Sequence, residues 1–236
     1  MEYVFGKNTV DSFIDSNMLL EVYLIKTFDD KKILSKIKDN NIKVIYKDKG
    51  YLDMLSKGIK HQGIAAKISD YKYATLDELL NTDRKYPFIV VLDGIEDPHN
   101  FGAIIRTCEA FKVDGIIISK HDSCPVNPTV AKVSTGTIAN VKICEVTNIT
   151  KTLNYLKDKG YWVYVAEAYN SQDYEKVDYH NKVALVVGSE GFGVSRLVKE
   201  QADFNIAIRQ YGKVNSLNVS VASAILISYI SLNQNI

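Results

Sequence analysis

Apolar positions in the first 68 residues follow two different periods. Val10, Phe13 and Ile14 stand at i, i+3 and i+4, the spacing of one helix face. Val22-Tyr23-Leu24-Ile25 is a short apolar run that predicts a strand. A lysine-rich helix carrying Ile33, Leu34 and Ile37 follows, and Ile42-Lys43-Val44-Ile45 and Ile64-Ala65-Ala66-Lys67-Ile68 predict two more strands. Residues 1–68 therefore read as a small α/β unit. Residues 69–86 are polar and mixed in charge, with a short helical stretch over 75–80, and read as a linker.

From Pro87 the pattern changes. Phe88-Ile89-Val90-Val91-Leu92, Gly115-Ile116-Ile117-Ile118, Val141-Lys142-Ile143, Trp162-Val163-Tyr164-Val165 and Val183-Ala184-Leu185-Val186-Val187 are short apolar runs, each followed by a helical period or a loop. Continuous apolar strands alternating with helices predict a parallel sheet covered on both faces, so residues 87–236 read as a second, α/β domain. Residues 217–232 are apolar nearly all round, broken only by the small Ser220, Ser223 and Ser228. A helix of that kind must be buried against the sheet or against another subunit.

Composition adds limits. The chain has 236 residues, 46% hydrophobic and 24% charged, an ordinary globular mix. No basic-then-apolar leader pattern and no apolar run of about 20 residues is present, which predicts a soluble, cytoplasmic protein with no membrane partner. Cys108, Cys124 and Cys144 are far apart and form no C-x-x-C pair, so reduced thiols are expected, with neither a disulfide framework nor a zinc site. Net charge is +1, which by itself does not favour a nucleic-acid partner. Nearly all positive charge is lysine; only Arg84, Arg106, Arg196 and Arg209 are arginines. Such scarcity marks each as a candidate for planar, bidentate binding of phosphate or carboxylate.

Three polar, glycine-containing segments begin where predicted strands end, the place where parallel α/β sheets bind ligands. The first runs Asp93-Gly94-Ile95-Glu96-Asp97-Pro98-His99-Asn100-Phe101-Gly102 and on to Arg106. Asn100 reads as the N-cap of the following helix, and Arg106, under two turns on, as a residue that approaches the same mouth. The second is Gly188-Ser189-Glu190-Gly191-Phe192-Gly193, whose glycines would let backbone N–H groups approach a ligand. Its order is not the G-x-G-x-x-G of dinucleotide binding. The third, Gly212-Lys213-Val214-Asn215-Ser216-Leu217-Asn218-Val219-Ser220, enters the apolar last helix, with Ser216 a candidate cap and Asn218 a buried amide needing partners.

Together these segments resemble the three motifs of the SpoU/TrmH methyltransferases over roughly residues 86–235, and Lys132-Val133-Ser134-Thr135-Gly136 resembles a family stretch between the first two. The N-terminal unit, with Gly6-Lys7-Asn8 and His61-Gln62-Gly63-Ile64, is similar to the L30e-like substrate-binding domain of the family's 23S rRNA guanosine 2′-O-methylases. The resemblance implies a C-terminal parallel-sheet domain with a deep trefoil knot, a homodimer formed through it, and S-adenosylmethionine as cofactor. It implies methyl transfer to a ribose 2′-hydroxyl of RNA, with 23S rRNA favoured over tRNA by the two-domain layout, since tRNA-directed members often lack the N-terminal unit. The implied catalytic residues are Arg106, Asn100, Glu190, Asn218 and Ser216; the implied cofactor contacts are Gly188, Ile208, Leu217, Glu190, Gly191 and Ser216. No metal is implied. In the family the arginine matching Arg106 is proposed as the base. Arginine is normally always protonated, so a group that grips phosphate and steadies the alkoxide suits its chemistry better. Asn100 and Asn218 would orient the ribose, and Glu190 would hold one of them or Arg106. The chain departs from the family where Ile208-Arg209-Gln210 replaces Ile-Pro-Met, which leaves φ less fixed there.

Two other classes compete. A nicotinamide oxidoreductase would need a G-x-G-x-x-G after the first strand of the sheet and an acid about 20 residues on, and neither is present. A non-catalytic RNA-binding protein could use Lys31, Lys32, Lys36, Lys38, Lys43, Lys47 and Lys49 against phosphate, although Asp29, Asp30, Asp39 and Asp48 interleave with them.

Overall fold

The computed structural model describes every residue except Met1, Asp15, Asn17, Thr135, residues 168–170, Val214, Asn215, Asn235 and Ile236. In chain order its elements are β1 (Glu2–Phe5), α1 (Lys7–Ile14), β2 (Leu19–Ile25), α2 (Lys31–Asp39), β3 (Lys43–Lys47), α3 (Lys49–Ser56), β4 (Ile64–Ile68), α4 (Leu76–Leu80) and β5 (Phe88–Asp93). Next come α5 (Pro98–Ala110), β6 (Gly115–Ser119), α6 (Pro128–Val133), β7 (Ile143–Val146), α7 (Ile149–Asp158) and β8 (Tyr161–Ala166). The chain ends with β9 (Gln172–Asp173), β10 (Lys182–Gly188), α8 (Arg196–Lys199), β11 (Phe204–Ala207) and α9 (Val219–Asn233). It divides into two compact units, Met1–Lys72 with Val126–Ala139, and Tyr73–Pro125 with Asn140–Ile236.

The N-terminal unit holds a sheet in the order β1-β4-β2-β3, antiparallel except for β2 and β3. Val10 and Phe13 of α1 and Ile33 and Ile37 of α2 bury against Val22, Leu24, Ile64 and Ala66. Asp30 caps α2 by accepting from Ile33 N–H, and Asp48 caps α3 by accepting from Tyr51 N–H. The strand β1 and the helix α3 were not read from the sequence, because each is short and its apolar positions are few. Segment 126–139, read as part of the second domain, belongs to this unit: α6 packs on α1 and Ala131 is in its core. The chain passes from this unit to the second after Lys72.

The second unit carries, among the described residues, a seven-stranded sheet in the order β7-β6-β5-β10-β8-β11-β9, with every pairing parallel. Its central strands are buried almost end to end, as the apolar runs predict: β6 wholly, β5 to its last residue, β10 after its first. Ile89, Val91, Ile117, Val163, Val165, Ala184 and Val186 pack with Leu153 and Leu156 of α7. Each valine, leucine or isoleucine among them contributes about 1.5–3 kcal/mol relative to exposure, which fixes the strands and so the loops at their ends. The strand expected over 141–143 starts two residues later, at Ile143, and β11 was missed because polar Asn205 interrupts a four-residue run. Strands β5, β6 and β7 run outward to one side while β10 and β8 lie on the other. The sheet therefore has its switch in strand order between β5 and β10, where Gly188 pairs with Asp93 in register.

Candidate active site at the carboxyl ends of β5 and β10

The register of β5 and β10 sends two loops off the sheet side by side. Gly94 takes φ +78°, a left-handed turn that glycine adopts without strain. Asp93 Oδ2 accepts from Ser195 N–H at 2.7 Å, which ties the far side of the β10 loop to β5. Ser189 and Gly193 exchange two backbone hydrogen bonds, 3.1 and 2.9 Å, and close the loop upon itself. A Cβ at Gly188 would lie 2.1 Å from the carbonyl carbon of Gly193, so the close backbone approach admits only glycine there.

Into this corner the fold brings Asn100, Glu190 and Asn218. Asn218 Nδ2 donates to Asn100 Oδ1 at 3.0 Å and also to Glu190 Oε1. Asn100 Nδ2 donates to the same Glu190 oxygen at 3.3 Å, as does the Val219 backbone N–H at 3.3 Å. Asn100 is buried, and its side-chain bonds go to these partners, as a desolvated amide requires. Glu190 stands at the N-terminus of α9, where the helix dipole favours a carboxylate.

Each motif thus supplies one member of the cluster, but two capping roles differ from expectation. The N-cap of α5 is Asp97, which accepts from His99 N–H with Pro98 at the first helical position; Asn100 lies inside the first turn. An Asp-Pro pair is itself a helix-start signal, and it was the one to follow. The cap of α9 is Asn218, whose Oδ1 accepts from Ser220 N–H and Val221 N–H; Ser216 is exposed and lies before it. Asn218 itself is exposed rather than buried, and Glu190 holds both asparagines, the first of the two alternatives expected for it.

Arg106 is exposed on α5, about 9 Å further along the helix axis than Asn100 at 1.5 Å per residue. It has no ion pair among the described residues, whereas Arg84 pairs with Asp114, Arg196 with Glu200 and Arg209 with Asp173. Of the scarce arginines, Arg106 alone keeps its guanidinium available.

Beside the cluster opens a cavity of about 500 Å3, whose lining includes Asn100, Glu190, Gly191, Asp97, Asp122 and Phe192. Arg106, Gly188, Ile208, Ser216 and Leu217 are not in that lining. Ile208 and Leu217 are half-buried, just after β11 and just before α9. Val214 and Asn215 of the third motif, and Thr135 of the family stretch, lie outside the described residues. Phe192 was passed over as a turn residue, although an aromatic between glycines in a polar loop is the signal that marks it.

The far end of α9 is anchored too: Tyr229 Oη donates to Glu175 O at 3.0 Å, and Gln234 Nε2 to Tyr179 O and Asn181 O, each at 3.1 Å. Among the described residues no cluster of His, Cys, Asp or Glu is placed to hold a metal ion, and no helix is long and apolar enough to cross a membrane. The three cysteines are buried and unbridged.

Comparison with known proteins fits this geometry. Residues 87–228 match the SpoU rRNA Methylase family, and residues 3–74 match the RNA 2′-O ribose methyltransferase substrate binding domain. A Staphylococcus epidermidis protein assigned to the TrmH family of tRNA/rRNA methyltransferases is 41% identical over 230 residues, 94% of this chain and 92% of its own. The AdoMet complex of the SpoU methyltransferase AviRb from Streptomyces viridochromogenes superposes with a TM-score of 0.79 at 19% identity, over 98% of this chain and 89% of that one. The A. aeolicus TrmH/SpoU tRNA modifying enzyme, 31% identical with a TM-score of 0.58, covers 66% of this chain and 79% of its own. Asn100, Glu190 and Asn218 are gathered at the switch point of a parallel sheet and the family match covers residues 87–228, more than half of the chain, so the chain belongs to the SpoU/TrmH family of RNA methyltransferases.

Proposed function

We propose that the protein transfers a methyl group from S-adenosylmethionine to a ribose 2′-hydroxyl of RNA, a guanosine of 23S rRNA before any tRNA. The observation that carries it is the Asn100–Glu190–Asn218 cluster, which joins three distant segments at the strand-order switch. The residues present suit such a cofactor. Half-buried Ile208 and Leu217 offer apolar surface for an adenine ring, and the carboxylates lining the mouth favour a positively charged sulfonium over an anion. Gly188, Gly191, Ser216 and the backbone near Ile208 and Leu217 would hold it, along a knotted course of the chain between β10 and α9.

S-adenosylmethionine, when bound, supplies an activated methyl group. The chain's own residues supply position and charge. A ribose hydroxyl is a weak nucleophile until its proton leaves, so stabilising the emerging alkoxide matters most. Arg106, protonated and unpaired, would grip the adjoining phosphate and steady that oxygen, with a phosphate oxygen or water taking the proton. Asn218, all of whose side-chain hydrogen-bonding groups are engaged, would with Asn100 and Glu190 form a preorganised wall for the ribose.

Ribosomal RNA is favoured by architecture. An AdoMet-bound rRNA methyltransferase from Sinorhizobium meliloti aligns over 99% of this chain with a TM-score of 0.74, whereas the tRNA modifying enzyme aligns over 66%. The difference is about the length of the N-terminal unit, whose residues 3–74 match a family described as RNA 2′-O ribose methyltransferase substrate binding. A homodimer would cover the apolar face of α9, which leaves Val221 and Leu232 exposed, and the protein would act in the cytoplasm.

The test is incubation of the full chain with radiolabelled S-adenosylmethionine and unmodified 23S rRNA, with bulk tRNA in parallel. Label would be mapped by 2′-O-methyl-sensitive primer extension. One labelled ribose in 23S rRNA is expected; label in tRNA alone overturns the substrate, and no label in either overturns the activity.

A further inference from the structure

We propose that Phe192 is a base-stacking residue, the plate on which a nucleobase at or next to the methylated ribose lies when the RNA enters the cavity. This rests on the RNA methyltransferase reading above.

Phe192 is 96% exposed, more than any other large apolar side chain described. A single exposed apolar residue usually needs no explanation. Phe192 differs because the loop that carries it is braced. Ser189 and Gly193 pair through both backbone groups, and Phe192 N–H donates to Ser189 Oγ at 3.3 Å. Gly193 takes φ +65°, and its backbone lies so close to Gly188 that no Cβ fits between them. Two residues earlier, Glu190 is fixed by Asn100, Asn218 and Val219. The ring is therefore displayed on a rigid mount, unsupported by packing, at the lip of the cavity beside the proposed ribose wall.

Charge decides what lies against it. Asp93, Glu96, Asp97, Asp122 and Glu190 line the same cavity, a field that repels phosphate. The part of a nucleotide that can enter is the uncharged part, base and ribose, while the phosphates stay outside where Arg106 is exposed. Proteins that recognise single-stranded RNA stack splayed-out bases on aromatic rings, and enzymes that modify a nucleotide take it out of the helical stack. A phenyl ring fits that role because every base presents a π-face, so it positions a base without naming it.

The experiment compares F192A, F192L, F192Y and F192W with the wild-type full chain. It measures binding to unmodified 23S rRNA and bulk tRNA, and kcat/KM for methyl transfer. Alanine is expected to lower RNA affinity and kcat/KM by roughly 5- to 150-fold, the usual range for one lost base–aromatic stack. Leucine should be nearly as poor, since it restores apolar bulk and not the ring face. Tyrosine and tryptophan should keep most of the activity, and S-adenosylmethionine binding by calorimetry should stay unchanged in all four. Wild-type behaviour of F192A or of F192L overturns the proposal. So does a shift in association state of F192A by analytical ultracentrifugation, which would make the ring a protein contact. A wild-type chain that binds RNA but transfers no methyl overturns the activity, and the affinity series still decides the stack. A wild-type chain that does neither overturns both.

Discussion

The two units of this chain place their polar residues in opposite ways. In the second unit, β5, β6 and β10 are apolar on both faces, so nothing polar projects until a strand ends. Asp93, Asn100, Glu190 and Asn218 are then held by backbone register and by one another. In the N-terminal unit the edge strand β3 exposes Lys43 and Tyr46, and its lysines meet carboxylates at the surface: Lys36 with Asp11 at 2.9 Å, Lys43 with Glu21 at 3.2 Å, Lys7 with Asp30 at 3.1 Å. Such surface pairs are worth about 0–1 kcal/mol and rearrange readily. Side chains anchored at the ends of buried strands suit chemistry, which tolerates little misplacement. Mobile surface charge suits gripping a polyanion, where counterion release contributes much of the affinity.

Three substitutions would break or sharpen that contrast. The largest effect is expected from Arg106→Ala, which should lower methyl transfer by about 10²–10³-fold, the usual loss for one charge-stabilising donor. Because Arg106 is exposed, its thermal midpoint and S-adenosylmethionine binding should not move; single-turnover assays at the native rate would remove Arg106 from the mechanism.

Next is Gly188→Ala, whose Cβ would fall 2.1 Å from the backbone of Gly193. Overpacking of this kind costs about 1–3 kcal/mol, read as a lower denaturant midpoint, with transfer lost as the Glu190 loop shifts. An unshifted midpoint would show that the loop yields, and that rigidity is not what separates the two units.

The smallest effect is expected in the N-terminal unit. Lys49→Ala should leave folding within about 0.5 kcal/mol and kcat unchanged. It should weaken binding to all RNAs alike and reduce the slope of log affinity against log salt by about one. A large loss confined to one RNA would mean that this unit, too, holds a positioned site.

The comparison also explains what could be read in advance. Apolar runs such as 88–92 and 183–187 gave strands because burial on both faces leaves no other pattern. The i, i+3, i+4 spacing of Val10, Phe13 and Ile14 gave α1 because a helix that buries one face repeats its apolar positions at that period. Where the pattern is short or mixed, as in β1, α3 and β11, it carried too little information. The local reading of Asn100 as a cap failed, while the resemblance had placed it in the site, because local propensity cannot tell an amide that ends a helix from one that faces a neighbour 118 residues away.

By itself the sequence determined the kinds of secondary structure, the parallel sheet and the family motifs, since each depends on residues near one another along the chain. Only the tertiary structure decided that 126–139 belongs with the N-terminal unit and that Glu190 holds Asn100 and Asn218 while Arg106 stays exposed. It alone put a bare phenyl ring at the mouth of the cavity. Those facts depend on which buried surfaces meet across the fold, and contact between distant segments is set by packing and strand order rather than by any local pattern.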